Sequence, residues 1–248
     1  MDRLENLKNI IMYLMADEHV SHRIPSTLEE RQRMMRALMN VWEPRLIAED
    51  FLTMQDVELQ MQREDKVVVE FHDEGLTIWQ GDITRLKVDA IVNAANAQAL
   101  GCWAPLHNCI DNCIHSAAGI QLRKECADKM QGRLLATGDA FITQGYNLPA
   151  HHVIHTVGPI IPDDIPTKEQ EEQLAQCYRS CLDLAEQNGL ESIAFCCIST
   201  GVFHFPNELA ARIAIETVKS YPRHTLKTIV FNVFLDKDRN IYEQFLRA

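Results

Sequence analysis

The sequence predicts an α/β fold from Lys66 onward, preceded by a helical segment, and three observations predict it. Short apolar runs, "VDAIVNAAN", "AFITQG", "HHVIHTVG", "SIAFCCIST" and "TIVFNVFL", recur along the chain and read as buried strands. Helical stretches around 111–127, 168–188, 206–221 and 239–247 alternate with them, the pattern of a largely buried sheet covered by helices. Several strands end in small and polar residues, "GDIT", "NAAN" and "STGVF", at the strand ends where such sheets bind ligands.

Residues 1–64 form the first unit and 65–248 the second. In the first, Leu4, Leu7, Ile10, Ile11 and Leu14 recur at helical spacing. Thr27 and Glu30 have the spacing of a capping box, followed by Leu28, Met35, Leu38, Met39 and Trp42 on one side. Pro44 ends that helix, and a third covers 48–63. The segment has no catalytic signature and reads as a helical layer covering another domain, with a substrate-gating role as the alternative. At Lys66 the character changes: "KVVVEF", a turn at "HDEG" and "LTIWQGDIT" read as two strands of a hairpin.

The bulk composition excludes several classes of function. With 248 residues and 46% hydrophobic content, the chain fits one large domain, or one domain with an appendage. No apolar run reaches the length of a membrane span, so no membrane partner is expected. The N-terminus, "MDRLENLKNIIMYLMADEH", is amphipathic and charged throughout, unlike a signal peptide. Eight cysteines without an export signal fit reduced thiols, hence a cytoplasmic protein. The net charge of −11 argues against nucleic acid as a partner. A small anion remains possible, held by backbone N–H groups and helix N-termini.

Read as isolated patterns, the candidate site residues have two meanings each. Asp82, at a strand end, is equally an Asx-turn residue or a hydrogen-bond acceptor for a ligand. Ser199, Thr200, Gly201, Val202 and Phe203 form a strand-to-helix turn suited to a pyrophosphate. Asn93 reads as a residue that ties down loop backbone. Asp111 opens a helix, which favours a carboxylate, and is also well placed to hold a hydroxyl or a water. Cys102, His107 and Cys109 make C-x4-H-x-C, donors that suit Zn²⁺ but whose spacing alone equally fits free thiols in a loop. Cys113 reads as core rather than a fourth ligand, His115 as a packed, hydrogen-bonded histidine, and Cys126, Cys177, Cys181, Cys196 and Cys197 as core.

Five motifs in order, "GDIT", "VDAIVNAAN", "IHSAAG", "TGDAFITQGYNLPAHHVIHTVGP" and "CISTGVFHFP", resemble the macrodomain family, and within it the MacroD-type ADP-ribosyl hydrolases. The resemblance covers residues 66–248 and implies a mixed β-sheet sandwiched between helices, with ADP-ribose in a cleft at strand ends. It departs at "GCWAPLHNCI", which replaces the usual glycine run and resembles the zinc-containing subgroup with an N-terminal helical extension. The implied protein is a zinc-dependent hydrolase that removes mono-ADP-ribose from modified protein side chains, with acidic, ester-linked side chains as its substrate class. The resemblance assigns Asp82 and Ile83 to adenine, residues 199–203 to the diphosphate with Phe203 against the distal ribose, and Asn96 and Asp111 to catalysis. Cys102, His107 and Cys109 hold one zinc per chain in this reading. The alternatives are a non-catalytic reader of ADP-ribosylated protein and a deacetylase of O-acetyl-ADP-ribose.

Overall fold

A computed structural model of the chain describes residues 2–247. Three helices come first: α1 (Arg3–Asp17), α2 (Leu28–Val41) and α3 (Glu49–Glu64). The apolar spacing of α1 buries Leu7, Ile10, Ile11 and Leu14, which meet Met35, Trp42 and Phe51 of the next two segments in a second core that Ile120 joins from further along the chain. Only half of the expected capping box forms on α2. The Thr27 hydroxyl oxygen accepts from the Glu30 amide at 3.3 Å, while the Glu30 carboxylate takes the Thr27 hydroxyl proton instead of reaching back to backbone.

Eight strands follow among the described residues: β1 (Val69–Glu70), β2 (Gly75–Gln80), β3 (Leu86–Lys87), β4 (Ala90–Ala94), β5 (Ala140–Gln144), β6 (His152–Thr156), β7 (Ser192–Phe195) and β8 (Thr228–Val233). Helices α4 (Ile110–Ala118), α5 (Ile120–Met130), α6 (Lys168–Gln187), α7 (Asn207–Ser220) and α8 (Asp236–Arg247) lie between and after them. The main sheet has the order β2-β8-β7-β4-β6-β5, parallel throughout except for β5 at one edge. Every residue of β8 is buried, as expected of a strand covered on both faces. Helices α6, α7 and α8 pack together over the sheet, α4 and α5 form a further layer, and α2 and α3 lie against α4. The mixed sheet between helices, with helices N-terminal to it, is the architecture the sequence predicts.

Two expectations are corrected. The hairpin over 66–84 does not form: β1 pairs with β3 and β2 pairs with β8, both in parallel. The partner of β2 lies some 150 positions away, so no local turn signal could reveal it. The single helix expected over 111–127 is two helices. Gly119 breaks it with φ +104°, and a Cβ there would come within 2.7 Å of the Gln55 side chain. Among the described residues, no helix is long and apolar enough to cross a membrane.

The loop that feeds β8 is held by one carboxylate. Glu186, at the end of α6, accepts the amides of His224, Thr225 and Leu226 and the Thr225 hydroxyl, at 2.8–3.2 Å. Burial opposes its ionisation, but the hydrogen bonds prevail and bring the carboxyl down to about 2. A depressed carboxyl stabilises the fold above its ordinary pKa and loses that contribution as the pH falls towards 2. Glu186→Gln is therefore expected to cost on the order of 1 kcal/mol at pH 7, after allowance for solvent screening, and nearly nothing near pH 2. Urea unfolding of both proteins at the two pH values checks this.

Candidate active site

The sheet's topology places a crevice. The chain leaves β4 towards β5 and β6 on one side, and leaves β7 towards β8 on the other, so the order reverses between β4 and β7. Their pairing covers only Ala90 with Ile193 and Ile91 with Ala194, whereas β4 stays paired to β6 as far as Ala94. The C-terminal ends of β4 and β7 therefore part, which is where an open α/β sheet binds ligands. With β2 and β8 continuing the row, strand-end loops span roughly three strand spacings, about 14 Å, which suits an elongated ligand.

At the β2 end, Asp82 caps a short 3₁₀ turn (Ile83–Arg85). Its Oδ1 accepts from the Thr84 amide and hydroxyl, and its Oδ2 faces Lys66 Nζ at 3.1 Å. Burial works to raise this carboxyl, yet Thr84 and the Lys66 charge hold it below the usual carboxylate range. The turn role is thus real, and the second carboxylate oxygen, Oδ2, is occupied by Lys66. Ile83 is buried. Beside them, at the end of β8, Phe234 leaves 71% of its surface exposed, an aromatic face that sequence reasoning had absorbed into a strand. Its only sequence signal was an apolar residue running past the strand into "LDKD".

The 199–203 loop follows β7. Ser199 is buried at φ +65°, its hydroxyl lacks a partner, and it presses so closely on Gly158 that a Cβ there would lie 1.9 Å from Ser199 Oγ. Thr200 turns back to the Cys197 carbonyl through its amide and its hydroxyl, and the Phe203 carbonyl accepts from Ile161. Among the described residues, the amides of Gly201, Val202 and Phe203 have no protein acceptor, leaving three donors in one loop.

Asn93 and Asp111 meet in the interior. Asn93 is fully buried at the end of β4 and donates through Nδ2 to Asp111 Oδ1 at 2.7 Å. The same amide faces His155 Nδ1 at 3.1 Å. That contact leaves the His155 proton on Nε2, where it can be donated to Thr143 Oγ1 at 3.0 Å. Asn93 therefore positions Asp111 and does not tie down loop backbone as the sequence suggested. Burial, partly offset by Asn93 and by the Arg123 charge, pushes Asp111 up to about 6. His115 is packed as expected but not hydrogen-bonded: neither ring nitrogen has a partner. Burial, with His155 and Arg123 adding to it, keeps that ring neutral, so its approach to Asp111 at 3.6 Å is not an ion pair.

The segment from Asn96 to Cys109 links β4 to α4. Asn96 shapes it: its Oδ1 accepts the amides of Gln98 and Ala99, and its Nδ2 donates to the Gly101 carbonyl. Gly101 has φ +82°, and a Cβ there would strike the His115 ring at 2.8 Å. The ligand atoms of Cys102, His107 and Cys109 lie within 4.8 Å of one another, with Cys102 Sγ 3.6 Å from His107 Nδ1. Bond lengths of about 2.3 Å to sulfur and 2.05 Å to nitrogen put the two donors of a shared tetrahedral zinc about 3.6 Å apart, so the geometry fits. Cys109 also caps α4 and accepts from the Asn112 amide, but burial, with the neighbouring Cys102 and Asp111, outweighs that bond and pushes the metal-free thiol up to about 12. Cys113 stands outside this cluster and outside the core, half-buried with Arg36 at 3.7 Å. A second set, His115, Cys126 and His155, is equally close, but His155 is engaged through both nitrogens and Arg123 lies close by.

A raised carboxyl has a clear sign for stability. Between about pH 4 and 6 folded Asp111 keeps a proton that the unfolded chain has released, so its contribution to stability falls as the pH climbs through that window. Asp111→Asn keeps an acceptor for Asn93 and is expected to raise stability on the order of 2 kcal/mol at pH 7.5, with the gain gone near pH 4. Thermal unfolding across that range, on protein stripped of metal, checks it.

Comparison with known proteins agrees with this geometry. The Macro domain family model matches residues 92–214. A "Protein-ADP-ribose hydrolase" of Staphylococcus aureus (strain MSSA476) is 44% identical over 98% of this chain and 97% of its own length. A protein of the same name from Treponema medium is 46% identical over 96% of each. Among solved structures, the Oceanobacillus iheyensis macrodomain with ADP is 39% identical, covers 71% of this chain and 92% of its own, and superposes with a TM-score of 0.64. The Trypanosoma brucei macrodomain in complex with ADP-ribose is 30% identical, covers 85% of this chain and 94% of its own, and gives 0.65. With near-complete alignment to such relatives, the chain belongs to the macrodomain family.

Proposed function

We propose that this chain is a MacroD-type protein-ADP-ribose hydrolase that removes mono-ADP-ribose from protein, with acidic, ester-linked side chains as its substrates and one zinc as its cofactor. The observation that carries the reading is the convergence of the Cys102, His107 and Cys109 ligand atoms in the loop that ends two residues before buried Asp111. Relatives that share the whole length and are named for this activity support it. The division into a helical layer, 1–64, and a macrodomain, 65–248, belongs to the same proposal and is supported by two separate core clusters. Eight free thiols fit a cytoplasmic protein, and nucleic acid and membranes have no place in the scheme.

The roles follow the row of loops. Asp82 accepts the adenine amino group, with Ile83 beside it. The amides of Gly201, Val202 and Phe203, with the orphaned Ser199 hydroxyl and Thr200, receive the diphosphate without help from basic side chains. Phe203 backs the distal ribose, and Asn96 builds the wall on its other side. Asp111, at about 6, is largely a carboxylate at neutral pH and holds a ribose hydroxyl or orients a water at the reacting carbon. Zinc held by two thiolates and a neutral imidazole has almost no net charge, so it supplies Lewis acidity towards a substrate oxygen more than a strongly acidified water.

Adenine and diphosphate contacts exist throughout the reaction, whereas Asp111 acts at the bond that breaks, where a metal held by Cys102, His107 and Cys109 would supply Lewis acidity. Cys109→Ala and Asp111→Ala are expected to lower single-turnover release of ADP-ribose from a mono-ADP-ribosylated protein about a hundredfold or more, with free ADP-ribose still bound. Equal rates in all three proteins would reduce the metal to a brace. A zinc-loaded wild type that releases nothing would make the chain a reader, and turnover of O-acetyl-ADP-ribose alone would make it a deacetylase.

A further inference from the structure

The loop bearing the three ligands is shaped at its start by Asn96, and around Leu106 and His107 it is gripped from outside by side chains of the helical layer. Leu106, just before His107, sits at φ +60°, a left-handed conformation that leucine rarely adopts. Its amide donates to Asn40 Oδ1 of α2 at 2.9 Å, and Asn40 is itself 2% exposed and tied to Ser116 Oγ. On the other side of the same residue pair, Arg36 Nη2 of α2 donates to the His107 carbonyl at 2.8 Å. Arg36 also bonds Asn112 Oδ1, and Asn112 in turn donates through Nδ2 to the Ala104 carbonyl and through its amide to Cys109 Sγ. Cys102 is reached by a third arm. Buried Arg123 of α5 bonds the Asn40 and Trp42 carbonyls at the end of α2, the Cys102 carbonyl at 3.3 Å, and lies over the Trp103 ring at 4.1 Å.

We propose that α2 is part of the metal centre, and that Asn40 and Arg36, with Arg123, are positioning residues that hold Cys102, His107 and Cys109 at ligating separation. This rests on the reading of those three residues as a zinc site. The physical reason is that the backbone groups flanking His107 are both satisfied by α2, so the imidazole's direction is set by a helix outside the loop. Within the loop the turn at Leu106 is closed by a single backbone bond, from the His107 amide to the Ala104 carbonyl at 3.2 Å; without the bonds from α2 the turn is held less firmly, and three more mobile ligands must be ordered at the moment of binding. The helical layer thus does more than cover α4. It preorganises the metal loop.

The test is zinc affinity, measured by competition with a chromophoric chelator, on the full-length protein. Asn40→Ala removes the acceptor for Leu106, Arg36→Gln removes the donor to His107 at a half-buried position, and Lys8→Ala on α1 serves as the control. Loss of such supporting contacts weakens metal binding about ten- to hundredfold. We expect that loss in Asn40→Ala and in Arg36→Gln, no change in Lys8→Ala, and ADP-ribose affinity within about twofold throughout. The cobalt-loaded variants should also show weaker, shifted visible bands, a signature of altered ligand geometry that a general loss of stability would not produce. If Asn40→Ala fails to fold, Arg36→Gln decides alone. Wild-type zinc affinity and an unchanged cobalt spectrum in the folded variants would overturn the positioning role and leave the zinc reading intact. A wild type that binds no zinc in the same titration would overturn both.

Discussion

The candidate site depends on one buried hydrogen bond, Asn93 Nδ2 to Asp111 Oδ1 at 2.7 Å. It joins the last turn of β4 to the first turn of α4 and so closes the base of the loop between them. That loop contains Asn96, Cys102, His107 and Cys109, so the bond ties their position to the sheet. The bond is itself oriented from behind: His155 on β6 receives the second Asn93 proton and passes its own towards Thr143 on the edge strand β5. Three neighbouring strands thereby fix one carboxylate. Because Asn93 is fully buried, water cannot substitute for a lost partner, and the arrangement holds together or fails together.

The same burial sets a cost. Asp111 is held near 6 because its charged form is poorly solvated, and only Asn93 and the Arg123 charge offset this. Arg123 is in turn lowered by its own burial and raised by Asp111, so the two groups support each other's ionisation. A carboxylate whose pKa lies just below neutrality is useful as a base or a hydroxyl acceptor and unhelpful as a structural element, the signature expected where function and stability compete. The unpartnered nitrogens of His115 and the orphaned hydroxyl of Ser199 add to the same picture: polar atoms buried without partners lie close to the crevice.

The fold was largely legible because its signals are local. Apolar runs such as "SIAFCCI" can only be buried strands, and the spacing of Leu7, Ile10, Ile11 and Leu14 can only be one helix face. What was not legible is long-range. Pairing of β2 with β8 leaves no mark near residue 75, and the alternation of "KVVVEF" and "LTIWQG" reads as a hairpin because nothing local forbids it. The break at Gly119 was visible as a residue and missed as a stop. In the site, Cys102, His107 and Cys109 are close in sequence and could be grouped by donor chemistry, and the structure brings their ligand atoms together. Asn40, Arg36 and Arg123 look like ordinary helix residues; their partners lie 21 to 83 positions away, and only the packing of α2 and α5 against the loop reveals them. Phe234 was hidden by the strand it terminates.

In the proposed arrangement, a zinc on Cys102, His107 and Cys109 would lie beside the distal ribose of ADP-ribose, with Asp111 on the same sugar. Anomalous diffraction above and below the zinc edge, from crystals grown with ADP-ribose, tests it directly. The expected result is one anomalous peak within bonding distance of the two sulfurs and the imidazole, with the distal ribose in contact with Asp111 and adenine at the Asp82 end. An empty loop, or a ligand whose distal ribose points away from the metal and Asp111, would contradict it.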